Sequence, residues 1–104
     1  FYPIIRISNI TGESRFYEKM DSIEETLQEP DWKKLSSLGD ELNETYEQTK
    51  WKIQLLGDEE EYETLQENIN LLIVAIEEKD IQETKLKLAS IKIYLENIYK
   101  DKNE

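Results

Sequence analysis

The sequence lacks cysteine and histidine altogether, and its 104 residues include only three glycines and two prolines. Without cysteine there is no disulfide, no thiol nucleophile and no thiolate metal site. Without histidine the chain lacks the side chain on which most acid–base and zinc chemistry depends. An all-β domain would need more glycine and proline at its turns. The composition therefore predicts a helical protein, and we expect neither an enzyme nor a cofactor.

Acidic side chains dominate the charge of the chain. Thirteen lysines and arginines stand against twenty-four aspartates and glutamates, which gives a net charge of −11. Because such a charge repels nucleic acids and anionic membranes, we expect neither as a partner. The excess acid lies in residues 1–78, since residues 79–104 carry six lysines against five acids. The hydrophobic content of 38% is enough for a core, and the length allows a single domain over residues 1–104.

Apolar residues recur at helical spacing in four segments, and no alternating run is long enough to predict a strand. The connections between these segments are short, which favours antiparallel neighbours. We therefore predict an all-α fold, an antiparallel up-and-down bundle of four helices with a non-helical N-terminal arm over residues 1–10. The helices are predicted near residues 11–28, 31–56, 58–78 and 80–100.

The apolar positions of each predicted helix form one stripe, and the four stripes predict the core. The second helix is expected to run through Gly39, because the leucines on either side of it keep their phase. The predicted core residues are Phe16, Met20, Ile23, Leu27, Leu35, Leu38, Leu42, Tyr46, Thr49, Ile53, Leu56, Tyr62, Leu65, Ile69, Leu72, Ile73, Ile76, Ile81, Thr84, Leu88, Ile91, Leu95 and Ile98.

Two short patterns predict helix starts. Asp58 with Glu61, and Asp80 with Glu83, have the spacing of a capping box, in which the two side chains each bond the other residue's backbone N–H. The first box lies in an acidic run over residues 58–63, which holds five carboxylates. We interpret this run as a solvated helix start, and a divalent cation site is the alternative.

Some apolar residues lie off the predicted stripes. They form three pairs: Trp51 with Leu55, Leu71 with Val74, and Leu86 with Ile93. The interpretation we favour is that a neighbouring helix or the N-terminal arm covers them inside the monomer. The second interpretation is a partner or dimer surface formed by Trp51, Leu55 and Trp32, because tryptophan often dominates binding energy at interfaces. A small-molecule pocket is the third.

The order of these features resembles the bacterial domain of unknown function 4363, over about residues 23–98. The resemblance rests on Asp31-Trp32, Lys50-Trp51, Leu55-Leu56, the acidic residues 58–61, Lys79-Asp80, Leu88-Ala89-x-x-Lys92 and Leu95-Glu96-x-Ile98. It implies a small extracytoplasmic helical protein, anchored to the cell membrane by one N-terminal helix. It implies no known activity.

These observations lead to two functional expectations. The first is a protein-interaction or structural module of a membrane-anchored bacterial protein, which binds a protein partner or a second copy of itself. The second is a sensor-like bundle that binds a small ligand or a divalent cation between its helices. Because the sequence begins with Phe1, we also expect a segment upstream of it, so that residues 1–10 follow either a membrane helix or a cleaved signal. The exposure of Trp51 decides between a partner surface and a core position.

Overall fold

The computed structural model describes residues 13–102 of the chain, which form four α-helices and no strand. The helices are α1 (Arg15–Thr26), α2 (Trp32–Leu56), α3 (Glu59–Glu77) and α4 (Ile81–Lys102). The predicted all-α bundle is thus confirmed, with helix bounds a few residues from those expected. The N-terminal arm predicted over residues 1–10 lies outside the described residues.

Side-chain caps begin both α2 and α3. The Asp31 carboxylate accepts the backbone N–H of Lys34 at 3.2 Å at the start of α2. At α3 the predicted capping box forms in full, because Glu61 N–H donates to Asp58 at 3.0 Å and Asp58 N–H donates to Glu61 at 3.1 Å. Each such cap stabilises a helix by about 1 kcal/mol.

The turn between α3 and α4 differs from its prediction. Asp80 accepts the N–H of Glu83 at 3.0 Å, but only this half of the second capping box forms among the described residues. The N–H of Asp80 already donates to the carbonyl of Ala75 at 3.0 Å, because Lys79 adopts a left-handed conformation (φ 57°) that folds the chain back. The Glu83 carboxylate instead lies 4.0 Å from the ammonium of Lys87.

Each helix packs mainly on its neighbours in sequence, and the contact is most extensive between α3 and α4. Polar contacts fix the antiparallel course of α1 and α2, since Arg15 donates to Gln48 and Lys19 pairs with Glu41, each at 2.8 Å. By contrast, α1 and α4 contact each other only sparsely. The bundle is therefore well packed along the chain order and loosely closed between its first and last helices.

The core contains most of the predicted stripes. Thr49, Leu56, Tyr62 and Ile73 are only partly buried. Ile81 is the one predicted core residue that is exposed, because it begins α4 beside the turn, at the end of the bundle. The buried members of the stripes are Phe16, Met20, Ile23, Leu27, Leu35, Leu38, Leu42, Tyr46, Ile53, Leu65, Ile69, Leu72, Ile76, Thr84, Leu88, Ile91, Leu95 and Ile98.

Gly39 lies within α2, as predicted, and is buried against α3. A Cβ atom at this position would lie 3.3 Å from Cδ1 of Ile76 and 3.4 Å from Cγ1 of Ile73. The missing side chain therefore allows α2 and α3 to approach closely, which offsets the roughly 1 kcal/mol that glycine costs a helix interior relative to alanine.

Candidate interaction surface

Trp51 and Leu55, which we call the Trp51 patch, lie on the outer face of the last two turns of α2. Their side chains are 65% and 76% exposed. The expectation that Trp51 belongs to the core is therefore wrong. The core side of this helix end is already occupied by Ile53, which is fully buried. Because Trp51 and Leu55 lie on the opposite side, the neighbouring helices do not reach them.

Three acidic side chains lie on the same outer face of α2. Asp40, Glu44 and Glu47 lie within about 40° of Trp51 around the helix axis, and all three are exposed. Within the part of the chain that the structure describes, no ion pair involves any of these three carboxylates. The outer face of α2 thus combines a stripe of negative charge with an apolar end.

Trp32, the third residue predicted for the surface, lies elsewhere. It begins α2, about 28 Å along the helix from Trp51. Its side chain is partly buried and packs against the core. The structure therefore brings Trp51 and Leu55 together and separates Trp32 from them.

The other two off-stripe pairs are also exposed. Leu71 and Val74 on α3 are 40% and 44% exposed, and Leu86 and Ile93 on α4 are 56% and 55% exposed. The expectation that a neighbouring helix covers them is wrong for the same reason as for Trp51, and the N-terminal arm, the other expected cover, lies outside the described residues. Each helix contributes one stripe to the core, so an apolar residue opposite that stripe faces outward.

The acidic run over residues 58–63 caps the N-terminus of α3. Asp58 and Glu61 form the capping box, and the negative charge of Glu59 raises the pKa of the neighbouring Glu63 carboxyl. Between residues 13 and 102, no three acidic side chains converge in an arrangement that could hold a metal ion.

A groove between α1 and α4 was not predicted from the sequence. It has a volume of about 610 Å³, and we call it the α1–α4 groove. No pattern within one helix signals it, because the groove depends on the spacing between α1 and α4, which are distant in sequence. The groove is lined by Glu24, Leu27, Gln28, Lys85, Leu88, Ala89, Lys92, Ile93 and Glu96.

Beyond the groove, α1 and α4 meet through two tyrosines. Burial raises the pKa of both Tyr17 and Tyr99 to about 12, and the nearby carboxylate of Glu13 contributes to both shifts. The Tyr99 side chain is 6% exposed, yet its hydroxyl has no hydrogen-bond partner among the described residues. A buried hydroxyl in this state costs about 1–3 kcal/mol, so this contact is less well satisfied than the rest of the core.

Comparisons with known proteins identify a family and no closer relative. Within residues 13–102, no helix has the length and apolar character needed to cross a membrane. Neither the curated proteins nor the solved structures contain a match to the sequence. The sequence model of a family described as a domain of unknown function (DUF4363) matches residues 6–103. Since this match spans nearly the whole chain, the protein belongs to the DUF4363 family.

Proposed function

We propose that this protein is a protein-interaction module that binds its partner through the Trp51 patch. The observation that carries the proposal is the exposure of Trp51 and Leu55, at 65% and 76%, on a helix whose other face forms the core. Exposed aromatic residues at the centre of a contact commonly supply much of its binding energy. No other tryptophan of the described chain is exposed to this degree, because Trp32 packs against the core.

The partner that best fits this face is a basic amphipathic helix. Asp40, Glu44 and Glu47 form a row of unpaired carboxylates that leads to the Trp51 patch. A helix with lysine or arginine opposite the carboxylates and apolar residues opposite Trp51 would complement the face in charge and in polarity. A second copy of the chain fits less well, because pairing two such faces would bring like charges together.

We also propose that the module works outside the cytoplasm, held at the membrane by an anchor upstream of the described helices. The support for this location is the family resemblance described above. A topology reporter fused after residue 102 in the full-length protein tests it. Activity of a reporter that functions only outside the cytoplasm agrees with the proposal, and activity of a cytoplasmic reporter contradicts it.

Site-specific photo-crosslinking tests the interaction proposal. A photoreactive amino acid replaces Leu55 in the full-length protein in its own cells, and the matched control places it at Lys33, which is exposed on the same face at the other end of α2. We expect a protein crosslinked from position 55 and not from position 33. Equal crosslinking from both positions contradicts the proposal, and a crosslinked pair of identical chains contradicts the predicted basic partner.

Binding of the crosslinked segment then measures the role of Trp51. A peptide that covers the crosslinked segment is titrated against wild-type protein and against Trp51→Ala. Because truncation of a central tryptophan typically costs 2 kcal/mol or more, we expect affinity to fall by about thirtyfold. The midpoint of thermal unfolding should change little, since an exposed side chain contributes at most about 0.5 kcal/mol to folding. A variant that binds normally, or one that unfolds, contradicts the proposal.

A further inference from the structure

The α1–α4 groove is apolar at its base and charged at its edges. Leu27 and Leu88 form the base, and both are almost fully buried, at 5% and 3% exposure. Ala89 and Ile93 extend the apolar surface along α4, and both are exposed. The volume of about 610 Å³ falls within the range of roughly 300–1,000 Å³ that small-molecule sites occupy.

The register between α1 and α4 orders the charges along the groove. The two helices are antiparallel, so the chain runs from Glu24 to Gln28 in the direction that leads along α4 from Glu96 back to Lys85. Gln28 therefore lies toward Lys85 along the groove, and Glu24 lies farther toward Glu96. One end of the groove therefore carries Lys85 and the Gln28 amide, whereas the acidic groups lie at its middle and its far end.

Two lysines, Lys85 and Lys92, line the groove. In residues 13–102 the ammonium groups of Lys85 and Lys92 take part in no ion pair, although Lys19 and Lys87 do. Glu24 and Glu96 lie near the level of Lys92 and reduce the positive potential there, whereas the end at Lys85 has the neutral Gln28 opposite it. The structure therefore presents an unpaired cation at one end of an apolar groove.

We propose that the α1–α4 groove binds a free long-chain fatty carboxylate. The carboxylate head lies at Lys85 and the Gln28 amide, and the alkyl chain lies over Leu88, Ala89 and Ile93. From Lys85 to Glu96 the groove extends about 16 Å along α4, which suits an extended alkyl chain. The acidic far end disfavours the reverse orientation, because it would place the carboxylate beside Glu96. This site is separate from the Trp51 patch, so either proposal can fail alone.

Titration with dodecanoate, kept below its micelle concentration, tests the proposal. Nuclear magnetic resonance of methyl-labelled protein reports the site directly, through the methyl groups of Leu27, Leu88, Ala89 and Ile93. We expect saturable shifts at these methyls, with one ligand per chain and no comparable shift at Leu55. Dodecyl maltoside carries the same chain with a neutral head, and we expect it to bind about tenfold more weakly.

Four variants test where the carboxylate head and the alkyl chain of dodecanoate bind. Lys85→Gln should weaken dodecanoate about tenfold, and Lys92→Gln should weaken it less, because only Lys85 lies at the head end. Lys87→Gln is the matched control on the same helix and should leave binding unchanged, since Lys87 does not line the groove. Ala89→Phe should abolish binding by filling the groove. Because Ala89 is exposed, this variant should keep the melting temperature of the wild type.

Several outcomes overturn the proposal. Scattered or non-saturating shifts show that dodecanoate does not bind at the groove. Equal binding of dodecanoate and dodecyl maltoside, or unchanged dodecanoate binding in Lys85→Gln, would show that Lys85 does not bind the carboxylate head. Unchanged dodecanoate binding in a folded Ala89→Phe protein would show that the alkyl chain does not lie in the groove.

Discussion

Helix α4 has two very different interfaces, a closed one with α3 and an open one with α1. Toward α3, Leu72, Ile91 and Leu95 are completely buried. Toward α1, the structure has the α1–α4 groove at one end and, at the other, the Tyr99 hydroxyl, which has no hydrogen-bond partner within residues 13–102. Helix α4 therefore packs extensively against α3 and only sparsely against α1.

The difference follows from how the chain brings each pair of helices together. A short turn joins α3 to α4, so their stripes meet at small entropic cost. In contrast, α1 and α4 are separated by the whole length of α2 and α3, and only side-chain contacts hold them together. The contact between the first and last helices is thus the place in this bundle where packing is most easily loosened. A ligand site there costs the fold least stability.

The largest effect is expected where α3 meets the core. Leu72→Ala removes a fully buried side chain, and we expect it to lower the free energy of unfolding by about 2–5 kcal/mol. Urea unfolding measures this loss. The neighbouring Leu71→Ala is the matched control, because Leu71 is 40% exposed and its loss should cost under about 1 kcal/mol. Equal losses in both variants would show that the closed interface is misassigned.

A smaller effect is expected where α2 meets α3. Gly39→Val adds atoms where even a Cβ lies 3.3 Å from Ile76, so we expect a loss of about 1–3 kcal/mol from overpacking. Asp40→Val is the control for β-branching in the helix, because Asp40 is exposed on the same helix. If the two variants lost equal stability, the close approach of α2 and α3 would play no part.

The open interface should respond to alkaline pH. Burial raises the pKa values of Tyr17 and Tyr99 to about 12 in the folded protein, above the ordinary tyrosine pKa of 10.0 that applies to the unfolded chain. Between these values the unfolded chain releases protons that the folded one retains, so the free energy of unfolding falls as pH rises from about 10 to about 12. Urea titrations across this range measure the slope.

The control for this prediction replaces both phenols. The double variant Tyr17→Phe with Tyr99→Phe keeps the lysines, which also titrate in this range, and removes the two shifted groups. Its stability should fall less steeply with pH than that of the wild type. If the two proteins had the same slope, the tyrosines would not be the source of the pH dependence.

The smallest effect is expected at neutral pH from Tyr99→Phe. Removing a buried hydroxyl that has no hydrogen-bond partner in the described part of the chain relieves its desolvation cost, so we expect the free energy of unfolding to rise by up to about 1 kcal/mol. The melting temperature checks the direction. A clear loss of stability would mean that the hydroxyl takes part in a hydrogen bond after all, and that α1 and α4 are better joined than their contacts indicate.

The spacing of apolar residues predicted the features that depend on one helix, such as core positions. It did not predict the features that depend on how two helices lie relative to each other. The stripes located the core because each residue's angle around its own helix follows from counting, and the capping box at Asp58 is equally local. The exception at Ile81 arises because counting gives the angle of a residue but not whether a neighbour extends that far.

The candidate sites show the same division. Counting placed Trp51 and Leu55 opposite the core stripe, yet the preference for burying tryptophan outweighed that angle and gave the wrong expectation for Trp51. Trp32 was grouped with them by residue type alone, although the length of α2 separates it from them. The α1–α4 groove depends on the relative lengths and spacing of two helices distant in sequence, which no single-helix pattern contains.

The antiparallel winding also has a practical consequence for measuring weak binding. The start of α1 lies beside Gln48, and Tyr99 near the end of α4 lies beside Tyr17, so both ends of the described chain emerge at the end of the bundle that carries the Trp51 patch. A candidate peptide fused after residue 102 through a short flexible linker would sample that surface at an effective concentration of about millimolar. A dye attached at the α3–α4 turn would stay at the opposite end, clear of the patch. One tethered polypeptide could thus report an interaction too transient to detect between separate molecules.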